Sequence, residues 1–414
     1  MERERLTIVH VTTFYPPHNF GGDGVHVQRL SRALARRGHR VSVVYPPAAY
    51  GVLGGDANLA VGDDSATADG VTVHRLPAGW RGALETVLVQ QVGAPMLHRK
   101  TLRDLLDGDD GEAPDVIHYH NVSLVGGLGV LALGNAIKLY TTHEYWLTCP
   151  THLLFRYNRE ICTRRTCVRC TLHRGRPPQL WRGGDIDART RAIDRFIFPS
   201  ARTESVYRAQ GIGGAGTVMH HFLPDEYFEA AAARGARDGA AEPYFLYVGR
   251  MDAVKGVEGL VRHFTCNDSG APLFLVGDGP IAPDLRRRFG DHPRIRFLGS
   301  RSPAELGELY RDALALLLPS AGYEVFGLVV LEAFAHGTPA AVTDVTGAAE
   351  LVRAAQGGFV YGSDAELADA LRQLSDPGVR ERLGASGRHY AREAHREDDY
   401  IDRYEQLIRE MRAP

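Results

Sequence analysis

Short apolar runs alternate with amphipathic stretches along most of the 414 residues, and the alternation occurs twice over. Leu6–Phe14 (LTIVHVTTF) reads as a buried strand from its β-branched content. An amphipathic helix, VQRLSRALARRG, closes at Gly38, and a second strand, VSVVYP, follows. Strand, helix and strand in that order make a parallel βαβ unit. VTVHRL is a third strand, and Ala83–Leu106 is predicted as helix. DVIHYHN (Asp115–Asn121) alternates as a strand and places His118 and His120 on one face. AIKLYTTHEYW ends a further strand at His143–Glu144, and RFIFPS is another. Residues 48–70, rich in Gly, Asp and Ala, read as a long mobile loop.

The pattern restarts at PYFLYVGR, a strand ending at Gly249–Arg250, with Lys255–Gly256 opening the next helix. PLFLVGDGP and RIRFLGS each read as strand plus turn. SPAELGELYRDA carries Ser302 and Glu305 in capping-box spacing. LALLLP is a buried strand, followed by a loop with Gly322 and Gly327 and a helix, LVVLEAFAHG, that stops at Gly337. TPAAVTDVTGAAELV adds a strand and a short helix, and the tail is a charged helical run. Residues 223–242, polar and Ala/Gly-rich, read as a linker between domains at 1–222 and 243–390, with a last helix over 391–414.

Composition narrows the classes. The length is too great for one ordinary core. The apolar share of 44% with 24% charge belongs to a globular chain with ample core. A formal net charge of −2 exerts no global pull on nucleic acid or anionic membrane. The absence of a long apolar run or a signal-peptide core sets the expectation of a cytoplasmic protein. Only three lysines (Lys100, Lys138, Lys255) occur among 48 Lys plus Arg, so each merits inspection as a compact ammonium.

Chemistry concentrates around Pro319–Pro339. Strand, glycine loop and helix N-terminus make an anion site there, because unpaired N–H groups and the positive end of the helix dipole converge. Glu324 and Glu332 flank it, and carboxylates so placed suit the vicinal hydroxyls of a sugar or ribose. Glu332 lies inside an apolar stretch, VVLEAFA, where a charge needs a partner. Gly21, Gly22 and Gly24 fall between the first strand and its helix, where backbone N–H groups could approach a phosphate. Plain turn chemistry accounts for them as often, and no G-x-G-x-x-G follows that strand.

The segment Glu324-Val-Phe-Gly-Leu-Val-Val-Leu-Glu332, preceded by Pro319-Ser320 and followed by Gly337-Thr-Pro339, resembles the E-x7-E signature of the retaining family 4 glycosyltransferases. The resemblance extends over nearly the whole chain. It implies an α/β GT-B fold, two doubly wound Rossmann-like domains facing a central cleft, with the terminal helix packing back toward the first domain. It also implies transfer of a sugar, with retention, from a UDP, GDP or ADP sugar to an acceptor hydroxyl. The acceptors implied by such a family are glycans, lipid-linked molecules or small-molecule natural products. By resemblance, Glu324 holds sugar hydroxyls and Glu332 the ribose. Arg250 and Lys255 take the diphosphate with N–H groups near Gly327 and Leu328, and His143 contacts the sugar. Gly21, Gly22, Gly249, Gly277, Gly279 and Phe326 complete the donor side. His143, Arg250, Lys255 and Glu324 are therefore the catalytic candidates. The implied mechanism is front-face departure without protein nucleophile or catalytic metal. In relatives acting on lipid acceptors a basic helix like VQRLSRALARRG touches the membrane; a solvated face is the plainer reading. A GT-B sugar-nucleotide epimerase or phosphorylase is the alternative activity.

Four of the five cysteines fall in an insert at about 146–184: Cys149, Cys162, Cys167 and Cys170. In a cytoplasmic chain such clustering points to a four-thiolate structural zinc, with an iron–sulfur cluster, disulfides or free thiols as alternatives. Eight arginines from Arg156 to Arg182 face one acid, Glu160. A zinc-dependent nucleic-acid module would use them, but no base-stacking aromatic pattern accompanies them, and no nucleic-acid partner is expected.

Overall fold

The computed structural model describes residues 4–55, 65–108, 113–183, 186–233 and 242–412. The chain divides into two compact units. The first comprises 1–153, 164–219 and 401–414, and the second 154–163 and 220–400.

The first unit is built on eight strands: β1 Thr7–Val11, β2 Arg40–Tyr45, β3 Ser65–Ala68, β4 Val71–Arg75, β5 Val116–Tyr119, β6 Ile137–Thr141, then, beyond a two-stranded hairpin of the second unit (β7 Phe155–Arg156 and β8 Glu160–Ile161), β9 Arg195–Phe198 and β10 Gly216–Val218. Their order is β10-β9-β6-β5-β1-β2-β4-β3, parallel throughout except for β3 at the edge. Helices cover the sheet, so its inner strands are nearly continuous apolar runs. The order reverses between β5 and β1, which leaves a crevice beyond the carboxyl ends of those two strands.

In the second unit, β11 Phe245–Val248, β12 Leu273–Val276, β13 Ile295–Gly299, β14 Ala315–Leu318, β15 Ala340–Thr343 and β16 Gly358–Tyr361 form a parallel sheet in the order β13-β12-β11-β14-β15-β16. The apolar run of β14 is wholly buried because both faces are used. Leu316 and Leu318 enter one core, while Ala315 and Leu317 enter the other. Here the switch lies between β11 and β14.

Several sequence expectations change in detail. The stretch 48–70 holds a helix, Pro47–Val52, and the edge strand β3, with 56–64 outside the described residues. Ala83–Leu106 is two helices, Gly79–Val92 and Arg99–Asp107, because Gly93 takes a left-handed φ of 71° and ends the first. The stretch 223–242 contains the helix Asp225–Ala233, while 234–241 lies outside the described residues. In the basic helix Gly22–Arg36 the apolar and small positions pack inward, while Arg36 stays exposed and Arg32 forms a surface pair with Asp69. The Ser302–Glu305 capping box forms reciprocally.

Candidate active site

The switch point of the second sheet gathers residues far apart in sequence. Beyond β11 the chain turns through Gly249–Arg250 into a short turn, Ala253–Lys255, and Gly256 then starts the helix Val257–Cys266. Gly256 has φ 65°, and a Cβ on it would lie 1.9 Å from the Pro319 carbonyl oxygen, so only glycine lets the two loops meet. The contact is sealed by Ala321 N–H donating to the Val254 carbonyl at 2.8 Å. Lys255 is thereby placed against the loop beyond β14. Its Nζ donates to both Glu324 carboxylate oxygens at 2.7 and 2.6 Å, and Ser320 Oγ donates to Glu324 Oε2 at 3.0 Å. Both side chains are mostly buried, 28% and 18% exposed, so the pair is only partly screened by water.

The same loop is tied from the other side. Gly347 N–H donates to the Glu324 carbonyl at 2.7 Å, and Thr343 Oγ1 donates to the Ser320 carbonyl at 2.7 Å. Gly327 caps the helix Leu328–Ala335 with φ 94°, where a Cβ would meet Ala348 Cβ at 2.6 Å. This turn aims the first N–H groups of the helix into the site. Phe326 is buried, and Glu332 lies on the same helix, accepting from Tyr310 Oη at 3.2 Å. Arg250 is exposed in the turn that leads to Lys255; Tyr247 Oη donates to its carbonyl at 2.9 Å. Burial, then Glu324 and Asp252, raise the Tyr247 phenol far above its usual range. Gly277 and Gly279 follow β12, and their loop is joined to this one by Met251 N–H donating to the Asp278 carbonyl at 2.8 Å. Arg250, Lys255, Glu324, Gly327 and Leu328 thus stand at one corner of one unit.

The crevice of the first unit carries the other candidates. Gly21 caps the helix Gly22–Arg36, and Asn19 brackets it, accepting from Gly21 N–H and donating to its carbonyl. Asp23 in the first helical turn accepts from Gly24 N–H at 2.9 Å and from Asn121 Nδ2 at 3.4 Å. Burial, chiefly, raises its carboxyl above the usual range; those hydrogen bonds oppose the shift and Glu144 adds to it. His143 sits at the end of β6, and its Nε2 hydrogen-bonds His120 Nδ1 at 2.9 Å. His120 Nε2 in turn meets His10 Nδ1 at 3.0 Å. His118, beside His10 in register, bonds Thr141 Oγ1 at 2.8 Å and Tyr404 Oη at 3.1 Å. Burial pushes His10 and His143 down to about 3, so the stack is neutral at ordinary pH.

Sequence reasoning singled out each member of the Lys255–Glu324 pair but not their contact, nor Ser320 as its third member. It passed over Asp23 and Asn121; the sequence signal available was an acid in the first turn of the helix after β1 and an amide just beyond the end of the adjacent β5. Among the described residues one set brings three ring nitrogens within 4.8 Å of one another, His10, His118 and His120. Hydrogen bonds account for that arrangement, and no metal is assigned to it. None of the four insert cysteines is in a disulfide. Cys149, Cys167 and Cys170 belong to the first unit, Cys162 to the second, and no three of them gather as the histidines do. Burial, then Cys149, push the Cys167 thiol up, with Cys170 adding a little.

Two doubly wound parallel sheets, each with its polar side chains at its own switch point, define a GT-B architecture. A family model described as "Glycosyl transferase 4-like domain" matches residues 21–220, and one described as "Glycosyl transferases group 1" matches 242–376. The chain is 33% identical over 407 residues to an uncharacterized glycosyltransferase of Methanocaldococcus jannaschii, covering 91% of each. It is 28% identical over 408 residues to a glycogen synthase of Mycobacterium tuberculosis, covering 92% of this chain and 89% of that one. An Anabaena protein crystallised with UDP and glucose superposes with a TM-score of 0.66 at 17% identity, over 98% of this chain and 99% of that one. The chain belongs to the group 1, family 4-type glycosyltransferases.

Proposed function

We propose that this glycosyltransferase moves a sugar from a nucleotide-diphosphate donor to an acceptor hydroxyl with retention of anomeric configuration. The observation that carries the reading is the Lys255–Glu324–Ser320 constellation at the N-terminus of the Leu328–Ala335 helix. An ammonium, backbone N–H groups and a helix dipole together suit a diphosphate, and an adjacent carboxylate suits the hydroxyls of the sugar attached to it. The Anabaena protein's UDP and glucose support the same donor chemistry.

Lys255 and Arg250, with N–H groups near Gly327 and Leu328, take the diphosphate. Glu324 takes sugar hydroxyls and Glu332 the ribose, while His143 contributes a neutral imidazole to the sugar. Gly21, Gly22, Gly249, Gly277, Gly279 and Phe326 shape the donor side. As the bond from the anomeric carbon to the phosphate oxygen breaks, charge collects on the diphosphate, and fixed cations stabilise that state more than the ground state. The acceptor oxygen bonds to the same face of that carbon, and its proton passes to the departing phosphate oxygen. No protein nucleophile or catalytic metal is needed for this balance. We also propose a structural zinc on the insert thiols of the first unit, Cys149, Cys167 and Cys170, a reading supported by their soft donor set and by the influence of Cys149 and Cys170 on the Cys167 thiol.

The test is a thermal-shift panel of UDP, GDP and ADP sugars, then donor turnover and anomeric NMR of the product. One donor raising the melting temperature, with an α-linked product from an α-donor, is expected. Inversion refutes retention, conversion of the donor without an acceptor indicates an epimerase, and no shift with any donor removes the donor assignment.

A further inference from the structure

One helix of the first unit is inside out. In Gly79–Val92 the inward positions are Gly82, Glu85, Thr86 and Val89, while Trp80, Leu84 and Val87 point to solvent at 74%, 43% and 46% exposure. These three lie at helical spacing and form one ridge. The inversion is built in by hydrogen bonds. Buried Glu85 accepts from the N–H groups of Met96 at 2.8 Å, Leu97 at 2.7 Å and His98 at 3.4 Å. That grip holds the next loop so that Met96 and Leu97 are also exposed, at 49% and 51%. Singly exposed apolar residues need no explanation, but eight of the eleven large ones exposed among the described residues fall between Val52 and Leu97.

The charges around this ridge choose its partner. From Pro77 to Arg103 the one acid is Glu85, which is buried, whereas Arg81, Arg99, Lys100 and Arg103 are exposed. Arg81 lies over the Trp80 ring at 5.7 Å, and Lys100 is paired with Asp104. A second copy docked on this face would set arginines against arginines. An anionic bilayer surface offers the complementary arrangement: indole and aliphatic tips enter the headgroup boundary, and arginines reach the phosphates.

We propose that the exposed Trp80–Leu84–Val87 ridge, with Met96 and Leu97 and its arginine rim, seats the protein on anionic phospholipid membranes. Trp146 is fully buried and Trp181 packs on Gly93, so Trp80 is the indole positioned to report contact. The full chain is mixed with vesicles of phosphatidylcholine alone or with phosphatidylglycerol, and binding is read by co-sedimentation and by quenching of tryptophan with brominated lipid. Binding to the phosphatidylglycerol vesicles, weakened by salt, is expected. It should fall roughly tenfold or more in Trp80→Ala/Leu84→Ser and in Arg81→Glu/Arg99→Glu, whose melting temperatures stay at the parent value. No binding at low salt, equal binding to both vesicles, or unchanged binding by both variants overturns the proposal. Self-association that Trp80→Ala/Leu84→Ser abolishes, without vesicle binding, overturns it in favour of a second copy. Donor turnover is not the readout, so this result stands apart from the catalytic assignment.

Discussion

Acid should unfold the first unit before it unfolds the second. His10, His26, His118 and His120 are fully buried there, and burial lowers every one of them: His10 to about 3, the other three well below 6.5. Neighbouring imidazoles push His26, His118 and His120 further in the same direction. Released into an unfolded chain, each titrates near its ordinary 6.5. Below that pH the unfolded state therefore binds more protons than the folded one. Stability is fully present above about 6.5 and declines as pH falls through that value. A histidine held neutral forfeits about 1.4 kcal/mol per pH unit, or about 2 kcal/mol by about pH 5. Four such groups forfeit up to about 8 kcal/mol, comparable with the roughly 5–15 kcal/mol that holds a domain together. All three tryptophans (Trp80, Trp146, Trp181) lie in the first unit, so their fluorescence isolates it. Urea midpoints followed by tryptophan emission should drop steeply between about pH 7 and about pH 5, and less steeply by one proton in His10→Leu. A midpoint that holds steady over that range would refute the neutral, buried stack.

Other perturbations act on single contacts. Lys255→Ala should lower turnover by at least about a hundredfold while leaving the melting temperature within a few degrees, since it removes a cation aimed at the diphosphate; unchanged kcat in a steady-state donor assay removes that role. Gly256→Val should lower stability by about 3 kcal/mol or more, because its side chain would occupy the space of the Pro319 carbonyl, and a chemical denaturation curve matching the parent would contradict the close approach. Glu85→Ala leaves three backbone N–H groups without their acceptor and should cost about 2–4 kcal/mol, read as loss of amide protection at Met96 and Leu97 in hydrogen exchange. Metal analysis of purified protein should find about one zinc per chain; a Cys167→Ser/Cys170→Ser variant with the parent's zinc content ends that assignment.

The sequence reading succeeded where physics is local. Alternating apolar runs such as Leu314–Pro319 became buried strands, and Ser302 with Glu305 closed the capping box their spacing requires. His118 and His120 share a face because strand periodicity is two, and their rings lie 4.0 Å apart. What escaped depends on tertiary register. Lys255 and Glu324 are 69 residues apart and meet only because β11 and β14 are neighbours. His10 joins the histidine stack through its pairing with β5. The Gly79–Val92 helix would be assigned an apolar inner face from composition, yet Glu85 turns it over by satisfying the backbone of a loop eleven to thirteen residues on.

The closing stretch of the first unit comes from the far end of the chain. Residues 401–412 supply Tyr404 to His118, Glu405 to His39, and Arg412 to Glu4 and Asp115. On the ribosome, everything from His220 to Tyr400 is made before these partners exist. The first unit therefore cannot complete its histidine stack with the Tyr404 hydroxyl until the whole second unit has been synthesised, so it does not mature ahead of the later-made domain in the usual order.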